Sequence, residues 1–98
     1  MDCVQIRFYF DPETDEPHIL KHGITEEEVE QVFESRSTED RLSRGETRML
    51  VGMTAAGRCL RIIYAPDPEP DSVFVITAYE LRGKPLAAFR RRQRRRSR

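Results

Sequence analysis

His22, Glu46, Arg48 and Arg61 are side chains of the types that move protons and hold phosphate groups. Cleaving an RNA strand without a metal ion requires a group that takes the proton from the ribose 2′-hydroxyl and cations that stabilise the charge building on phosphorus. Histidine ordinarily changes its charge near neutral pH, so His22 suits proton transfer. The alternative is that its ring packs and forms hydrogen bonds at a helix end.

Glu46 and Arg48 stand two residues apart in a segment predicted to be a strand, so their side chains are expected on the same face. There they would act as a base and a phosphate clamp. The alternative is a cross-strand charge pair on an exposed face, worth only about 0.2–1 kcal/mol. Arg61 lies on the neighbouring predicted strand with the parity of Cys59 and Ile63, and whether it shares a face with Arg48 depends on the register between the strands.

Tyr64 and Tyr79 are candidates for stacking against unpaired RNA bases. Aromatic rings beside cations are typical of surfaces that bind single strands. Tyrosines in strands also pack at sheet edges with the hydroxyl group outward, which is the alternative for both residues.

The net charge is zero, but the basic residues are concentrated at the C-terminal end. Of 17 Lys and Arg residues, nine lie in residues 82–98, which contain no acid, so the other eight share residues 1–81 with all 17 Asp and Glu. This asymmetry predicts binding to a polyanion, or else a tail that docks on the acidic body or keeps the protein soluble. A continuing helix would carry a sleeve of arginines that binds phosphates without reading sequence: Arg90, Arg91, Arg92, Arg94, Arg95 and Arg96.

Hydrophobic periodicity predicts the elements that must position these residues. Apolar residues alternate over 3–10, as in a strand with one buried face. Pro17 suits the start of a short helix, and Gly23 suits a left-handed cap at its end. Thr25 and Glu28 have the spacing of a capping box, which predicts the start of a second helix.

The second half of the chain is predicted to be mainly strands. Residues 35–45 have no periodicity and are expected to form a loop, whereas 46–54, 58–65 and 72–80 have strand composition, the last one typical of a central strand. Pro85 suits the start of a final helix. The predicted class is α+β, in the order β-α-α-β-β-β-α, with an antiparallel sheet covered by helices. Residues 1–89 are expected to form one domain and residues 90–98 a basic, disordered tail.

The two cysteines, Cys3 and Cys59, have no second cysteine or histidine at ligand spacing, so the sequence predicts no metal site and no cofactor. No signal sequence or membrane span is expected, because Arg7 interrupts the apolar start and no long apolar run follows. The expected compartment is the reducing cytoplasm, with both thiols free and buried.

Three separated blocks resemble BrnT-type toxins. The first is FDPETDEPHILKHGITEEEVEQVF, which has an aromatic-Asp pair, a Lys-His-Gly-Ile turn and a Glu-rich helix. GETRMLVGMTAAGRCLRIIYA is similar to the Gly-Glu-x-Arg hairpin strand of that family and the strand after it, and VFVITAYE is similar to its last strand. Together the blocks cover roughly residues 8–80.

The resemblance implies a RelE-like fold, a metal-independent endoribonuclease that inhibits translation, and an antitoxin protein as partner. It matches His22 to the Lys-His-Gly turn, and it places Lys84 where a RelE-like sheet opens to RNA. Tyr79 stands where the last strand of the family has an arginine after alanine. That difference supports an alternative function: a scaffold without catalysis that binds nucleic acid or an acidic partner through its arginines.

Overall fold

The computed structural model describes residues 5–35, 38–67 and 71–96 of the 98-residue chain. It confirms an α+β fold with one main mixed sheet and two α-helices. In the part of the chain described, no helix is long and apolar enough to cross a membrane.

The main sheet has five strands in the order β1-β7-β6-β5-β4. Their bounds are Gln5–Phe8 for β1, Glu39–Leu42 for β4, Arg48–Met53 for β5, Cys59–Pro66 for β6 and Ser72–Glu80 for β7. A small ribbon pairs β2 (Phe10–Asp11) with β3 (Glu16–Pro17). The hairpin of β5 and β6 and the antiparallel pairing of β6 with β7 agree with the sequence prediction.

The sheet differs from the prediction in three ways. β4 lies inside the segment predicted to be a loop, where it pairs with β5 as an edge strand. β1 runs parallel to β7, so the sheet is mixed rather than wholly antiparallel. β6 is the central strand, and β7 lies between β1 and β6. Parts of the predicted elements, residues 3–4 with Cys3, 36–37 and 68–70, lie outside the described residues.

The helical segment before β4 follows the predicted local signals. Residues His18–His22 form a 3₁₀ helix that ends at Gly23 in the left-handed conformation, with φ at 72°. Helix α1 spans Glu26–Glu34, and Thr25 and Glu28 form both hydrogen bonds of the capping box. These elements match the sequence prediction because each depends on residues only a few positions apart.

Side chains from alternate positions of the strands build a core on each face of the sheet. On one face Leu60 and Ile62 of β6 pack under α1 and the 3₁₀ helix, together with Val29 and Val32. Gly52 of β5 lies so close to α1 that a Cβ atom there would meet a methyl group of Val32 at 2.9 Å. The sheet and α1 are therefore in close contact.

Helix α2 spans Gly83–Arg96 and packs on the opposite face, where Phe89 is 1% exposed beside Val51, Cys59 and Leu81. Cys59 is a free, buried thiol, as predicted. The structure differs from the prediction of a disordered tail from residue 90, because the helix continues to Arg96. Arginine favours helix, and Phe89 anchors the preceding turn to the sheet.

Candidate functional site

A row of aromatic rings runs along the side of the sheet at the 3₁₀ helix and ends at a guanidinium group. The ring centroids of Tyr9 and His18 are 6.0 Å apart, and those of His18 and His22 are 5.4 Å apart. The His22 and Tyr79 centroids are 6.2 Å apart, and the guanidinium carbon of Arg61 lies 5.7 Å from the centroid of Tyr79. We call these five residues the ring row.

The strand pairing explains why the ring row has room. β1 pairs with β7 from Ser72 to Val75, and no strand of the described residues lies beside the second half of β7 on that edge. The 3₁₀ helix packs against β7 and brings His22 to Tyr79. Tyr79 and Arg61 are direct cross-strand partners in β7 and β6, which places the guanidinium group next to the phenol ring.

Asp11 anchors the beginning of the ring row. Its buried carboxylate accepts hydrogen bonds from Lys21 at 2.5 Å and from the backbone N–H of Glu13 at 2.9 Å. The nearest imidazole nitrogen of His18 lies 3.4 Å from the same carboxylate. The bond from Lys21, followed by that from Glu13, lowers the pKa of Asp11 to about 2. The carboxylate thus stays ionised and fixes both ends of the 3₁₀ helix.

Arg58 is a second anchor, at the C-terminal end of the 3₁₀ helix. Its guanidinium group donates to Glu28 at 2.7 Å, to Glu80 at 3.1 Å and to the backbone carbonyl of Gly23 at 3.2 Å. Gly23 directly follows His22, and Glu80 directly follows Tyr79. Arg58 therefore ties together the two chain segments that carry the middle of the ring row.

A cavity of about 200 Å³ lies between α2 and the sheet, at the Arg61 end of the ring row. Its charged lining residues are Arg41, Arg61, Arg92 and Glu39. The Glu39 carboxylate accepts from Arg92 at 2.7 Å and from Arg41 at 3.5 Å. We call this space the arginine cavity.

A protein-family profile described as a domain of unknown function, DUF4258, matches residues 18–80. The chain belongs to the DUF4258 family. No curated protein and no solved structure matches the chain significantly. The DUF4258 region begins at His18 and ends at Glu80, so it contains four members of the ring row but neither Tyr9 nor helix α2.

Within the DUF4258 region, the structure brings together three of the residues predicted from sequence. His22, Tyr79 and Arg61 are neighbours in the ring row. Arg48 lies elsewhere, since it is the cross-strand partner of Tyr64 and forms an ion pair with Asp40 at 3.0 Å.

Glu46 does not share a strand face with Arg48. β5 begins at Arg48, and Glu46 lies exposed in the turn before it. The alternation argument fails here because it holds only inside a strand. The four predicted catalytic residues therefore do not form one cluster.

Tyr64 is not available for stacking on a base. It is only 6% exposed, its ring packs edge-on against Phe33, and its hydroxyl donates to Asp40 at 2.8 Å. Burial, together with the bond to Asp40, raises the pKa of Tyr64 to about 12. Tyr64 therefore has a structural role, but in the core of the central strand and with its hydroxyl bonded to Asp40, not at a sheet edge with the hydroxyl outward.

The basic residues of α2 form a strip rather than a sleeve. Arg92 turns inward to Glu39, while the exposed arginines recur at spacings of one and four residues, which places them on one side of the helix. We call these four residues the basic strip: Arg90, Arg91, Arg94 and Arg95. Lys84 is exposed in the first turn, and the side chain of Arg96 lies outside what the structure describes.

The sequence analysis missed His18, Tyr9, Glu39 and Arg41. His18 carried a usable signal, because a spacing of four residues from His22 places both rings on neighbouring turns of a helix. The other three depend on strand pairing that no local pattern indicates. Among residues 5–35, 38–67 and 71–96, no group of three His, Cys, Asp or Glu side chains could hold a metal ion.

Proposed function

We propose that this DUF4258 protein is a metal-independent endoribonuclease of the BrnT kind, with a RelE-like fold, which inhibits translation and is neutralised by an antitoxin. The observation that supports it is the ring row. It combines two imidazoles 5.4 Å apart with two phenol rings and a guanidinium group. The proposal keeps His22 and Arg61 from the sequence analysis and replaces Glu46 and Arg48 with His18.

The two histidines supply both proton transfers of RNA cleavage. One neutral imidazole takes the proton of the 2′-hydroxyl as the 2′-oxygen attacks phosphorus, and the other, protonated, gives a proton to the leaving 5′-oxygen. The new O2′–P bond and the broken P–O5′ bond leave a 2′,3′-cyclic phosphate and a 5′-hydroxyl end. With ring centroids 5.4 Å apart, the two imidazoles would contact one phosphodiester group, and Arg61, on the far side of Tyr79 from His22, would stabilise the charge that develops on its oxygens.

Substrate binding would use groups on either side of the reacting atoms. Tyr9, which is 41% exposed, and the half-buried Tyr79 offer ring surface for unpaired bases. The basic strip of α2 would add attraction to the RNA backbone without reading its sequence, so binding weakens steeply with added salt.

The test is incubation of the full chain with end-labelled single-stranded RNA in the presence of a chelator. We expect fragments with cyclic phosphate ends, and a cleavage rate at least about 100-fold lower for His18→Ala and for His22→Ala, because positioned acids and bases contribute about 10²–10⁴-fold. Leu20→Ala is the matched control, since Leu20 is an exposed residue between the two histidines.

Two results would contradict the proposal. One is RNA cleavage that survives in both histidine variants. The other is loss of cleavage in Glu46→Ala or Arg48→Ala with full activity in His18→Ala, which would restore the residue set of the sequence analysis. Growth inhibition on expression, and its relief by a small DNA-binding protein encoded beside this chain, test the toxin part separately.

Two observations favour a second function. Tyr79 replaces the arginine of BrnT-type sequences, and the basic strip is exposed on α2. A protein without catalysis could bind nucleic acid or an acidic partner through that strip. In the same assay it would give a salt-sensitive mobility shift of the RNA without new fragments.

A further inference from the structure

The arginine cavity has more positive than negative charge. Among the residues that the structure describes, Arg41, Arg61 and Arg92 line it together with a single carboxylate, that of Glu39. Glu39 receives one N–H from Arg92 and one from Arg41, and its side chain is only 10% exposed. Each guanidinium group has five N–H donors, so most of the donors around the cavity are not used by this carboxylate.

Arg61 has a buried donor atom, Nε, without a hydrogen-bond acceptor among the described residues. A buried charged donor without a partner is costly, and its presence usually marks an ion or water at the site. The guanidinium group of Arg61 also lies over the ring of Tyr79, which accepts no conventional hydrogen bond. The cavity is therefore lined by a cation, Arg61, whose buried Nε–H has no acceptor among the described residues.

We propose that the arginine cavity binds a phosphate group, as inorganic phosphate or as the terminal phosphate of a phosphomonoester. Guanidinium groups recognise phosphate oxygens with paired N–H donors, and a tetrahedral phosphate can accept from three such groups at once, whereas a carboxylate has two oxygens in one plane. The cavity volume of about 200 Å³ is many times the space that one water needs, so a phosphate with a few waters fits.

This site goes beyond RNA cleavage and does not depend on it. The ring row holds the reacting phosphodiester in the proposed function, whereas the cavity would hold a phosphate that is not cut. The two sites share only Arg61, so variants at Arg41 and Glu39 separate them.

The first experiment is calorimetric titration of the full chain with inorganic phosphate, at low salt in a buffer without phosphate or sulfate. We expect saturable binding of one phosphate per chain and at least about tenfold weaker binding for Arg61→Gln and for Arg41→Gln, the loss expected for one charged hydrogen bond. Arg41 is 58% exposed at its side chain, so its variant is expected to fold even if Arg61→Gln does not.

Arg44→Gln is the matched control. Arg44 lies exposed in the turn after β4 and does not line the cavity, so this variant removes the same charge from the protein without touching the site. Its phosphate affinity should stay within about twofold of the parent chain, because exposed charges are screened by water and salt. Absence of saturable binding by the parent chain, or equal weakening in Arg41→Gln and Arg44→Gln, would overturn the proposal.

Glu39→Gln provides a test in the opposite direction. It removes the one competing anion while keeping the shape of the side chain, so phosphate should bind several-fold more tightly even as the loss of the Arg92 contact lowers the unfolding temperature. If the cavity is only an internal ion-pair network, this variant would be less stable and would gain no affinity.

Oligonucleotides then distinguish the two sources of phosphate. A short RNA with a 5′- or 3′-terminal phosphate is compared with the same RNA ending in hydroxyl groups, in the parent chain and in Arg41→Gln. A preference for the phosphorylated end that is lost in Arg41→Gln identifies the RNA terminus as the ligand. Binding of inorganic phosphate without such a preference supports the site with a free phosphate compound as its ligand.

Discussion

Arg58 offers a direct test of how the ring row is held in place. The side chain of Arg58 is 31% exposed, and its two carboxylate partners are partly covered, with Glu28 at 19% and Glu80 at 33% exposure. Exposed ion pairs are worth about 0.2–1 kcal/mol, and buried charged hydrogen bonds about 1.5–3 kcal/mol. Three bonds at intermediate exposure therefore give an expected loss of about 1–3 kcal/mol for Arg58→Ala.

The loss is measurable in a protein of this size. For a domain of about 100 residues, 1 kcal/mol shifts the unfolding midpoint by about 4–8 °C, so Arg58→Ala should lower it by about 5–20 °C. Removing the cation also leaves Glu28 and Glu80 facing the same space with like charges. Part of the loss should therefore be recovered in the double variant Arg58→Ala, Glu28→Gln.

The assay is thermal and urea unfolding followed by circular dichroism, with Arg44→Ala as the control for loss of one exposed arginine. Arg58→Lys should fall between the parent and Arg58→Ala, because an ammonium group keeps the charge but cannot present the planar fork. A midpoint for Arg58→Ala within 1 °C of the control would refute the assignment. The like-charge explanation would be refuted by a second result. In that result the double variant is less stable than Arg58→Ala by as much as Glu28→Gln alone destabilises the parent chain.

Three further predictions concern other parts of the fold. Hydrogen bonds to Asp11 from Lys21, and to Asp67 from Arg7, lower both carboxyl pKa values from 3.8 to about 2, so the stability they contribute is full above pH 4 and is lost as the pH drops through 2. Asp11→Asn should flatten this decline in acid unfolding curves, and an unchanged curve would contradict the role of Asp11. Burial of Tyr64 raises its pKa to about 12, so the stability that the neutral phenol adds is present below pH 10 and is lost as the pH rises through 12. Ultraviolet titration should show one late-ionising tyrosine that disappears in Tyr64→Phe. Phe89→Ala should cost about 3–5 kcal/mol in urea unfolding, and a cost under about 1 kcal/mol would show that α2 is not anchored by this ring.

The sequence was sufficient wherever structure depends on near neighbours. The capping box of Thr25 and Glu28 and the left-handed Gly23 were predicted correctly, since their signals span four residues or fewer. β4 was missed because Glu-Asp-Arg-Leu has no apolar alternation, and its pairing with β5 is a property of the sheet edge. Local signals thus define helix ends well and edge strands poorly.

The candidate site was only partly predictable for the same reason. The alternation of side chains along β6 places Arg61 on the opposite face of the sheet from its neighbours Leu60 and Ile62. The pairing of Arg61 with Tyr79, however, follows from the register of β6 and β7, which shifts at Ile63 and Tyr64. The arginine cavity combines side chains from positions 41, 61 and 92, and no spacing rule connects residues that far apart.

The parallel pairing of β1 with β7 has a consequence for how the chain reaches its native state. Gln5 pairs with Ser72 and Phe8 with Val75, so the first strand finds its place only after most of the polypeptide has been synthesised. Contacts between distant positions slow folding because a large loop must close before they form. Until that moment the β7 side of the sheet is an open template for other chains, and the growing polypeptide is at its most prone to aggregate.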